Sequence, residues 1–253
     1  MKETRIAQLS DLHITIKGES AYDVDVRQNF MNIYNALVSE QATYDYIVIT
    51  GDICFREGQQ EIYEWLKQYL DKLEKPCYII PGNHDKKDVL KSVFTRQYFH
   101  IHDEIYYTVD FPLGKAFFLD TSEGVLSKAQ LEWFQQQADS TTCKQCLIFM
   151  HHPPVYTGIQ YMEEHFALEN KKEFEQLLNS YDQKEFFVFC GHYHAEKTIK
   201  TRNVLTMIAP ASFFQMDQES KDFKIDSYRI GWRNICWSDE YLHTTVRYVD
   251  RVC

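Results

Sequence analysis

Residue types that commonly bind metal ions occur in five short clusters along the chain. They are two aspartates, one asparagine and four histidines, namely Asp11, His13, Asp52, Asn83, His151, His192 and His194. Carboxylate, amide and imidazole groups suit divalent cations such as Mn, Fe, Zn or Co. If the fold gathers these side chains, they can bind two such cations, because the carboxylate of Asp52 can offer one oxygen to each.

The spacing within the clusters favours shared binding of one ion. Asp11 and His13 are two residues apart, so on an extended backbone both side chains point to the same side and can chelate one cation. His192 and His194 repeat this spacing late in the chain. Gly51 permits the tight turn that would present the carboxylate directly after it.

The elements that must position the clusters are indicated by the residues before them. Four of the five clusters directly follow a short apolar run that is typical of a buried strand. These runs span residues 46–50, 77–81, 146–150 and 186–190, and the first cluster follows a more mixed stretch at residues 6–10. Because the carboxyl ends of parallel strands share one edge of an open α/β sheet, we expect the five clusters to converge there.

The charge expected for such a site favours a phosphate. Two divalent ions bring about +4, whereas two aspartates and a bridging hydroxide bring about −3, which leaves the site with about +1. Metal ions also lower the pKa of bound water to roughly 7. The sequence therefore predicts a dinuclear metal hydrolase.

The order of the clusters resembles that of a known family. In order, they read Asp11-x-His13, Gly51-Asp52, Gly82-Asn83-His84-Asp85, His151-His152-Pro153-Pro154 and Gly191-His192-x-His194. This order resembles the calcineurin-like metallophosphoesterases, and within them it is most similar to the class III cyclic-nucleotide phosphodiesterases and related glycerophosphodiesterases. The motifs span residues 11–194. The resemblance implies an α/β fold, a four-layer α/β/β/α sandwich of two mixed sheets.

The resemblance also implies a role for each residue. It places Asp11, His13, Asp52 and His194 on one metal ion, and Asp52, Asn83, His151 and His192 on the other. It makes His84 the catalytic residue, which contacts the phosphate or protonates the leaving oxygen. On its residue type alone, His84 could instead serve only to hold Asn83 in place.

Differences from better-known relatives narrow the expected reaction. Protein Ser/Thr phosphatases carry G-D-x-x-D-R-G, whereas this chain has Phe55 at the second Asp and Glu57 at the final Gly. They also carry G-N-H-E, where this chain has Asp85. Relatives that split lipid pyrophosphates have Arg at the position of His84. These differences favour a phosphodiesterase.

Four residues are candidates for contact with the substrate, namely Asn83, His84, Tyr22 and His152. Tyr22 lies in the loop after the first strand, where the phosphodiesterase relatives often carry a Tyr. His152 either touches the substrate or completes the turn into Pro153-Pro154. Tyr22 and His165 either line the pocket or belong to the ordinary surface.

Two further pairs have metal-ligand spacing but lack the right context. His100-x-His102 repeats the spacing of the last cluster, but no clear strand or glycine turn precedes it, which favours a surface loop. Cys143-x-x-Cys146 has no second cysteine pair, and Cys146 opens a strand. We therefore expect neither zinc binding nor redox chemistry from these cysteines.

Length and composition predict one domain over residues 1–253, because a chain that is 44% hydrophobic can bury a real core. No run approaches the ~18 apolar residues of a membrane span. We expect a cytoplasmic protein, since the first residues lead at once into a strand and the seven cysteines fit reduced thiols. The net charge of −10 argues against binding of duplex nucleic acid. The aromatic-rich segment 228–248 predicts either core or the interface of a homodimer.

The periodicity of apolar residues predicts four helices, at Arg27–Glu40, Gln59–Glu74, Lys128–Gln137 and Lys171–Ser180. Ser127 and Gln130 indicate a capping box at the start of the third helix. After Gly191 we expect strands without helices, at Thr206–Ala209, Tyr228–Trp237 and Leu242–Val249. These strands would form a second, largely antiparallel sheet packed on the first.

We therefore expect a phosphodiesterase that hydrolyses a small phosphodiester, with a cyclic nucleotide as the first candidate. A phosphomonoesterase or a glycerophosphodiesterase could use the same site. The alternative outside the enzymes is a scaffold protein that has lost catalytic activity and binds other proteins. Such a scaffold would be expected to lose ligands, and all seven are present here.

Overall fold

Strands form the centre of the molecule in the computed structural model, which describes residues 2–94 and 104–249. In chain order they are β1 (Glu3–Leu9), β2 (Tyr46–Thr50), β3 (Cys77–Ile80), β4 (Tyr107–Phe111), β5 (Gly114–Phe118), β6 (Gln145–Phe149), β7 (Glu185–Cys190), β8 (Lys197–Thr201), β9 (Val204–Ile208), β10 (Gln215–Met216), β11 (Ile225–Ser227), β12 (Ile230–Ser238) and β13 (Leu242–Val249). The α-helices are α1 (Val26–Ser39), α2 (Gln60–Lys72), α3 (Lys87–Val93), α4 (Lys128–Ser140), α5 (Gln160–His165) and α6 (Lys171–Asn179). The pair His100 and His102 lies outside the described residues.

Two large mixed sheets organise these strands. The first has the order β13-β12-β1-β2-β3, and the second has the order β4-β5-β6-β7-β9-β8. Within the first sheet β1, β2 and β3 are parallel, and within the second β5, β6, β7 and β9 are parallel. A small third sheet pairs β10 with β11. The expected sandwich of two mixed sheets is confirmed.

Aromatic side chains join the two sheets face to face. The ring of Tyr78 on β3 lies 5.5 Å from that of Phe118 on β5, measured between centroids. The indole nitrogen of Trp237 on β12 donates to Gln145 Oε1 on β6, at 3.2 Å. On the outer side of the second sheet, Phe134 of α4 packs against Phe117 of β5 at 4.8 Å. These contacts bury the apolar faces that each layer must cover.

The partners of the C-terminal strands differ from our prediction. We expected them to form a separate antiparallel sheet, but β12 pairs antiparallel with β1 and completes the first sheet. The strand predicted at Thr206–Ala209 is β9, and it pairs parallel with β7 in the second sheet. Burial explains the central place of β12, because seven of its nine residues are buried, whereas β13 alternates between half-buried and exposed positions and forms an edge.

The four predicted helices occur as α1, α2, α4 and α6, while the short helices α3 and α5 were not predicted. Asp25 is the N-cap of α1, because its carboxylate accepts a hydrogen bond from the backbone of Gln28 at 2.9 Å. The Ser127 hydroxyl caps α4 by accepting from the Gln130 backbone at 3.1 Å, as predicted. The Gln130 side chain does not return to Ser127 and bonds both backbone groups of Asp120 instead.

Candidate metal centre

All seven candidate ligands converge at one place, where both sheets end. The segments after β1, β2 and β3 of the first sheet carry Asp11, His13, Asp52 and Asn83, and those after β6 and β7 of the second carry His151, His192 and His194. We expected the edge of one open sheet. The structure shows that the carboxyl ends of parallel strands from two packed sheets meet, so each sheet supplies part of the site.

The ligand atoms fall into three overlapping groups, in each of which one atom per residue lies within 4.8 Å of the others. These groups are Asp11, His13 and His194; Asp52, His151 and His192; and His13, Asp52 and His84. Asp52 and His13 each belong to two groups. His192 and His194 belong to different groups, although their spacing is the same as that of Asp11 and His13.

The backbone at these residues is left-handed and not extended as we predicted. Asp11 has a φ of 53°, and His13 has a φ of 45°. Asp52, His192 and His194 have φ values of 52°, 67° and 46°. In the described residues nine non-glycine positions have positive φ, and five of them are these candidate ligands. Such strain is uncommon outside glycine and collects at functional sites, so the concentration here supports a functional role.

Hydrogen bonds between loops hold this backbone in place. The amide of Asp11 donates to Gly51 O at 3.1 Å, and that of His13 donates to Asp52 O at 3.0 Å. Gly51 has a φ of 92°, which agrees with the turn predicted there. At Gly191 a Cβ atom would lie only 2.5 Å from Asp11 Oδ2, so this position requires glycine for close approach.

Backbone carbonyls fix which nitrogen of each imidazole is free. His151 Nδ1 lies 2.7 Å from Thr50 O, and His194 Nδ1 lies 3.2 Å from Phe214 O. His192 Nε2 lies 2.9 Å from Phe166 O. A carbonyl can only accept, so each of these nitrogens carries a hydrogen, and the other ring nitrogen is the one that can offer a lone pair to an ion. Metal-binding histidines are commonly oriented in this way.

The distances between the free atoms fit divalent cations. His13 Nε2 and His194 Nε2 are 3.0 Å apart. Two nitrogens that each lie about 2.1 Å from one ion, at a right angle, are about 3.0 Å apart. His151 Nε2 lies 3.2 Å from Asn83 Oδ1. His192 Nδ1 is buried without a hydrogen-bond partner, as expected for a lone pair reserved for an ion.

The carboxylates are ionised, and two of the imidazoles are neutral. Burial alone would raise the pKa of Asp11, but the adjacent His194 outweighs it and the pKa falls to about 2. Burial would also raise the pKa of Asp52, yet the neighbouring imidazoles hold it well below its usual value. Burial lowers the pKa of His13 and of His192 to about 3. Ionised carboxylates and neutral imidazoles are the forms that bind metal ions.

His151 differs from these two imidazoles. Burial would lower its pKa, but the carboxylate of Asp52, whose Oδ2 lies 3.4 Å from its Nε2, raises the pKa to about 9. His151 therefore carries a proton when no cation is present. A cation must replace that proton, because proton and metal compete for one lone pair.

His84 lies between the ligand cluster and solvent. Its side chain is 35% exposed, and its Nε2 lies 4.0 Å from Asp52 Oδ2. Its Nδ1 lies 3.1 Å from the carbonyl of Arg56, which leaves Nε2 free toward the cavity. The geometry suits the predicted catalytic role, and the group with His13 and Asp52 also makes a ligand role possible.

Asp85 is a positioning residue that the sequence did not reveal, although it ends the Gly82-to-Asp85 motif. Its partly buried carboxylate accepts hydrogen bonds from the backbones of Gly82 at 2.9 Å and Ile53 at 3.2 Å. The hydroxyl of Tyr63 donates to the same carboxylate at 2.9 Å. Burial raises the pKa of Asp85 to about 6. Asp85 thus ties the loop after β2 to the loop after β3, and these loops carry Asp52 and Asn83.

A cavity of about 390 Å³ opens over the ligand cluster. It is lined by His13, Asp52, Asn83, His84, His192 and His194 and by Tyr22, Phe55, Tyr161, Met162, Phe166, Phe213, Phe214, Met216 and Phe223. Tyr22 therefore lines the pocket. Apart from Phe55, which follows Asp52 by three residues, the other aromatic residues lie outside the motifs, and the sequence did not reveal them.

His152 and His165 do not line this cavity. His152 is buried, its ring lies 4.0 Å from that of His192, and its Nδ1 lies 2.9 Å from Thr121 Oγ1. His165 stacks on Tyr161 at 4.8 Å, on the outer side of α5. The position of His152 suits support of His192 more directly than contact with a substrate.

Among the residues that the structure describes, the opposite end of the sheets shows no comparable cluster. An open depression of about 640 Å³ lies there, lined by residues that include Cys143, Lys184 and Trp237. Within residues 2–94 and 104–249, neither Cys143 nor Cys146 belongs to a group of metal-binding side chains. Over the same residues, no helix combines the length and apolar character needed to cross a membrane.

Comparison with known proteins agrees with the geometry. The family model described as calcineurin-like phosphoesterase matches residues 4–196. A protein of Fibrobacter succinogenes, named a probable cyclic nucleotide phosphodiesterase, is 30% identical over 245 residues, which cover 97% of this chain and 94% of that protein. A protein of Arcobacter nitrofigilis, named a probable glycerophosphodiester phosphodiesterase, is 31% identical over 219 residues, which cover 83% and 79% of the two chains.

The fold is also similar to that of a solved structure, a dimetal phosphatase from Danio rerio. The TM-score is 0.69 with 12% identity, and the match covers 98% of this chain and 99% of the other. At this identity the similarity concerns the fold alone. The family model and the Fibrobacter relative both cover most of the chain. The chain therefore belongs to the calcineurin-like phosphoesterases, a family of metal-dependent hydrolases.

Proposed function

We propose that this protein is a dinuclear metal phosphodiesterase that hydrolyses a small phosphodiester, with a 3′,5′-cyclic nucleotide as the first candidate. The observation that carries the proposal is the character of the cavity. Its floor is the ligand cluster around Asp52, and no Lys or Arg is among its described lining residues. A monoester dianion carries more negative charge than a diester and would benefit from such a cation. The lining therefore suits a monoanionic diester.

We assign one cation to Asp11, His13, Asp52 and His194 and the other to Asp52, Asn83, His151 and His192. The ligand set suits Mn, Fe, Zn or Co. When bound, the cations would supply positive charge for the phosphate and a water of lowered pKa. Contacts with backbone carbonyls orient the imidazole ligands of these ions, and Asp85 holds the loops that carry Asp52 and Asn83.

His84 has the geometry to handle the proton of the leaving oxygen. Its Nδ1 is fixed to the carbonyl of Arg56, so its Nε2 faces the cavity at a defined position. In its doubly protonated form it can donate a hydrogen bond from Nε2 to a phosphate oxygen and then give that proton to the departing alkoxide. We assign substrate contact to His84 and Asn83, and also to Tyr22, which lines the same cavity.

The names of the relatives support a diester substrate. The Fibrobacter and Arcobacter proteins are named for cyclic nucleotides and for glycerophosphodiesters, respectively. Both substrate types are small monoanionic diesters. A glycerophosphodiesterase is therefore the second candidate, and it uses the same residues.

We further propose a cytoplasmic protein that acts on small molecules and not on duplex nucleic acid. The net charge of −10 supports this, because phosphate backbones bind basic surfaces. The six described cysteines are free thiols, which agrees with a reducing compartment. A homodimer remains a prediction from the aromatic C-terminal segment.

The proposal is tested by parallel assays of the metal-loaded protein. We expect a higher kcat/KM for bis(p-nitrophenyl) phosphate than for p-nitrophenyl phosphate at the same pH and with the same metal. Cyclic AMP and glycerophosphoethanolamine are then compared as natural diesters. If kcat/KM for the monoester is higher by about tenfold or more, the protein is a phosphatase and not a diesterase. Absence of hydrolysis with every metal in the series would instead support a scaffold.

A further inference from the structure

Phe223 lies at the centre of a group of aromatic rings at the mouth of the cavity. Its ring centroid lies 5.9 Å from each of three others, those of Tyr22, Phe214 and Tyr161. These rings come from three separate segments, namely the loop after β1, the segment after β9 and α5. Despite these contacts, Phe223 is 41% exposed and Tyr22 is 55% exposed. Contiguous exposed apolar rings beside a cavity often mark a ligand-binding site.

The loop that carries Phe223 is fixed at its base. The amide of Asp217 donates to Lys224 O at 2.9 Å, and the side chains of the same two residues form an ion pair at 2.5 Å. The carboxylate of Asp217 also accepts from the amides of Glu219 at 3.0 Å and Ser220 at 3.1 Å. The loop therefore presents Phe223 in a defined position before any ligand binds.

Tyr22 is held at the mouth by a strained turn. Ala21 and Val24 exchange backbone hydrogen bonds of 3.0 and 2.8 Å, which leaves Tyr22 and Asp23 at the tip. Tyr22 has a φ of 49°, and Asp23 has a φ of 59°. Such a turn ordinarily uses Asn or Gly, and a bulky ring with positive φ is an outlier. Strain of this kind persists where the placed side chain has a use.

We propose that Phe223 and Tyr22 form a stacking platform for a nucleobase, which makes the substrate a nucleotide diester. This inference rests on the proposed function, because the phosphate of the same molecule would lie at the ligand cluster. Apart from the candidate ligands and His84, every described residue that lines the cavity is aromatic or Met. Planar bases stack on such rings, whereas a glycerol group has no flat face to offer.

A quaternary ammonium group is the other ligand that aromatic rings recognise. The rings of Tyr22 and Phe223 are inclined by 36° to each other, and the charges around them favour a base. Asp52, which belongs to the ligand cluster, is the only carboxylate among the described lining residues, so none is free to pair with an ammonium group. The platform therefore selects for a neutral planar group.

The test compares two ligands that differ only in the base. Calorimetry of the metal-loaded protein with AMP and with ribose 5-phosphate should give a Kd for AMP about tenfold lower or better. Phe223→Leu keeps an apolar side chain without a ring. It should raise the Kd for AMP about five- to tenfold, while the Kd for ribose 5-phosphate changes by no more than about twofold. Phe223→Tyr should restore the wild-type ratio. Tyr241→Ala, an exposed aromatic beside the amino end of β1, serves as the control.

Three binding results would count against the platform. Equal affinity of the wild-type protein for both ligands, or equal weakening of both in Phe223→Leu, would overturn it. If phosphocholine binds more tightly than AMP, and Phe223→Leu weakens that binding, the rings recognise a quaternary ammonium group and not a base. If AMP and ribose 5-phosphate release phosphate, their KM values give the same ratio. That release would count against the proposed diesterase and not against the platform.

Discussion

Asp52 is the carboxylate that the proposal assigns to both cations, so its removal should affect both. We expect Asp52→Ala to purify with well under the wild-type metal content and without measurable hydrolysis. Plasma emission analysis of metal per protein checks the first result, and the diester assay checks the second. Asp110→Ala, which changes an exposed carboxylate on β4, serves as the control.

Full metal occupancy in Asp52→Ala would refute the ligand assignment. A partial result is also informative at this scale. Loss of one cation only would mean that Asp52 serves a single metal ion and that another residue bridges the pair.

His84→Ala should behave differently, because the proposal gives His84 a proton and no metal. We expect both cations to remain and kcat to fall by about 10²–10⁴, the usual range for a lost general acid or base. Metal content and kcat are measured on the same preparation. His165→Ala changes an exposed imidazole outside the cavity and should leave both unchanged.

Two results would contradict this role of His84. Loss of metal in His84→Ala would assign it to the third ligand group, with His13 and Asp52. Unchanged kcat would leave His84 with a structural part only, through its contact with Arg56.

The seven candidate ligands could be predicted because chemical type and a preceding strand are visible in the sequence. Their backbone conformation could not, since the left-handed φ of Asp11 depends on a hydrogen bond to Gly51, forty residues away. Phe223 escaped prediction for a similar reason. A phenylalanine in a polar loop carries no chemical signal until the fold places it beside Tyr22.

At the scale of elements, the hairpin between β8 and β9 contains strain that serves no part of the candidate site. Arg202 begins its two-residue turn with a φ of 43° and is exposed. This type of turn favours glycine at its first position. Arg202→Gly should therefore raise the free energy of unfolding by about 0.5–1 kcal/mol, since it removes the strain of a left-handed side chain.

Urea unfolding of the metal-free protein measures this change. Arg202→Ala removes the same charged group but keeps a Cβ, so it separates relief of strain from loss of charge and should give no comparable gain. A destabilised Arg202→Gly variant would show that the long side chain contributes more than its backbone costs.

Elements were predicted more reliably than their partners. Apolar residues such as Ile62, Leu66 and Leu70 recur at helical spacing, so α2 could be located within one or two residues. Pairing depends on burial of whole strands against distant ones. The sequence of β12 indicates a strand, but not that Ile235 lies opposite Ile6.

At the scale of the whole molecule, cations bound across two sheets should stabilise the folded state. Ions that bind the native chain at about 100 times their Kd add about 2.7 kcal/mol per site. Removal of both cations with EDTA should lower the Tm by about 10–20 °C for a chain of this size. Differential scanning calorimetry of the loaded and stripped protein measures the shift.

Asp52→Ala provides the matched control for that experiment, because a protein without the bridging carboxylate has little metal to lose. Its Tm should change little with EDTA. An equal fall in wild-type protein and variant would mean that the chelator acts on something other than the ligand cluster.

The strand β12 lies beside β1, and this neighbourhood sets the order in which a newly made chain can complete its site. All seven candidate ligands leave the ribosome before residues 230–238 do, yet β1, which leads into Asp11 and His13, lacks one of its two neighbours until then. Phe213 and Phe223 also emerge after the last ligand. A nascent chain that ends near residue 196, where the family match stops, would contain every ligand. It would still lack β12 and β13 of the first sheet and the aromatic residues after β9 that line the cavity. Metal uptake should therefore come late in synthesis, after the final hairpin has closed over the first strand.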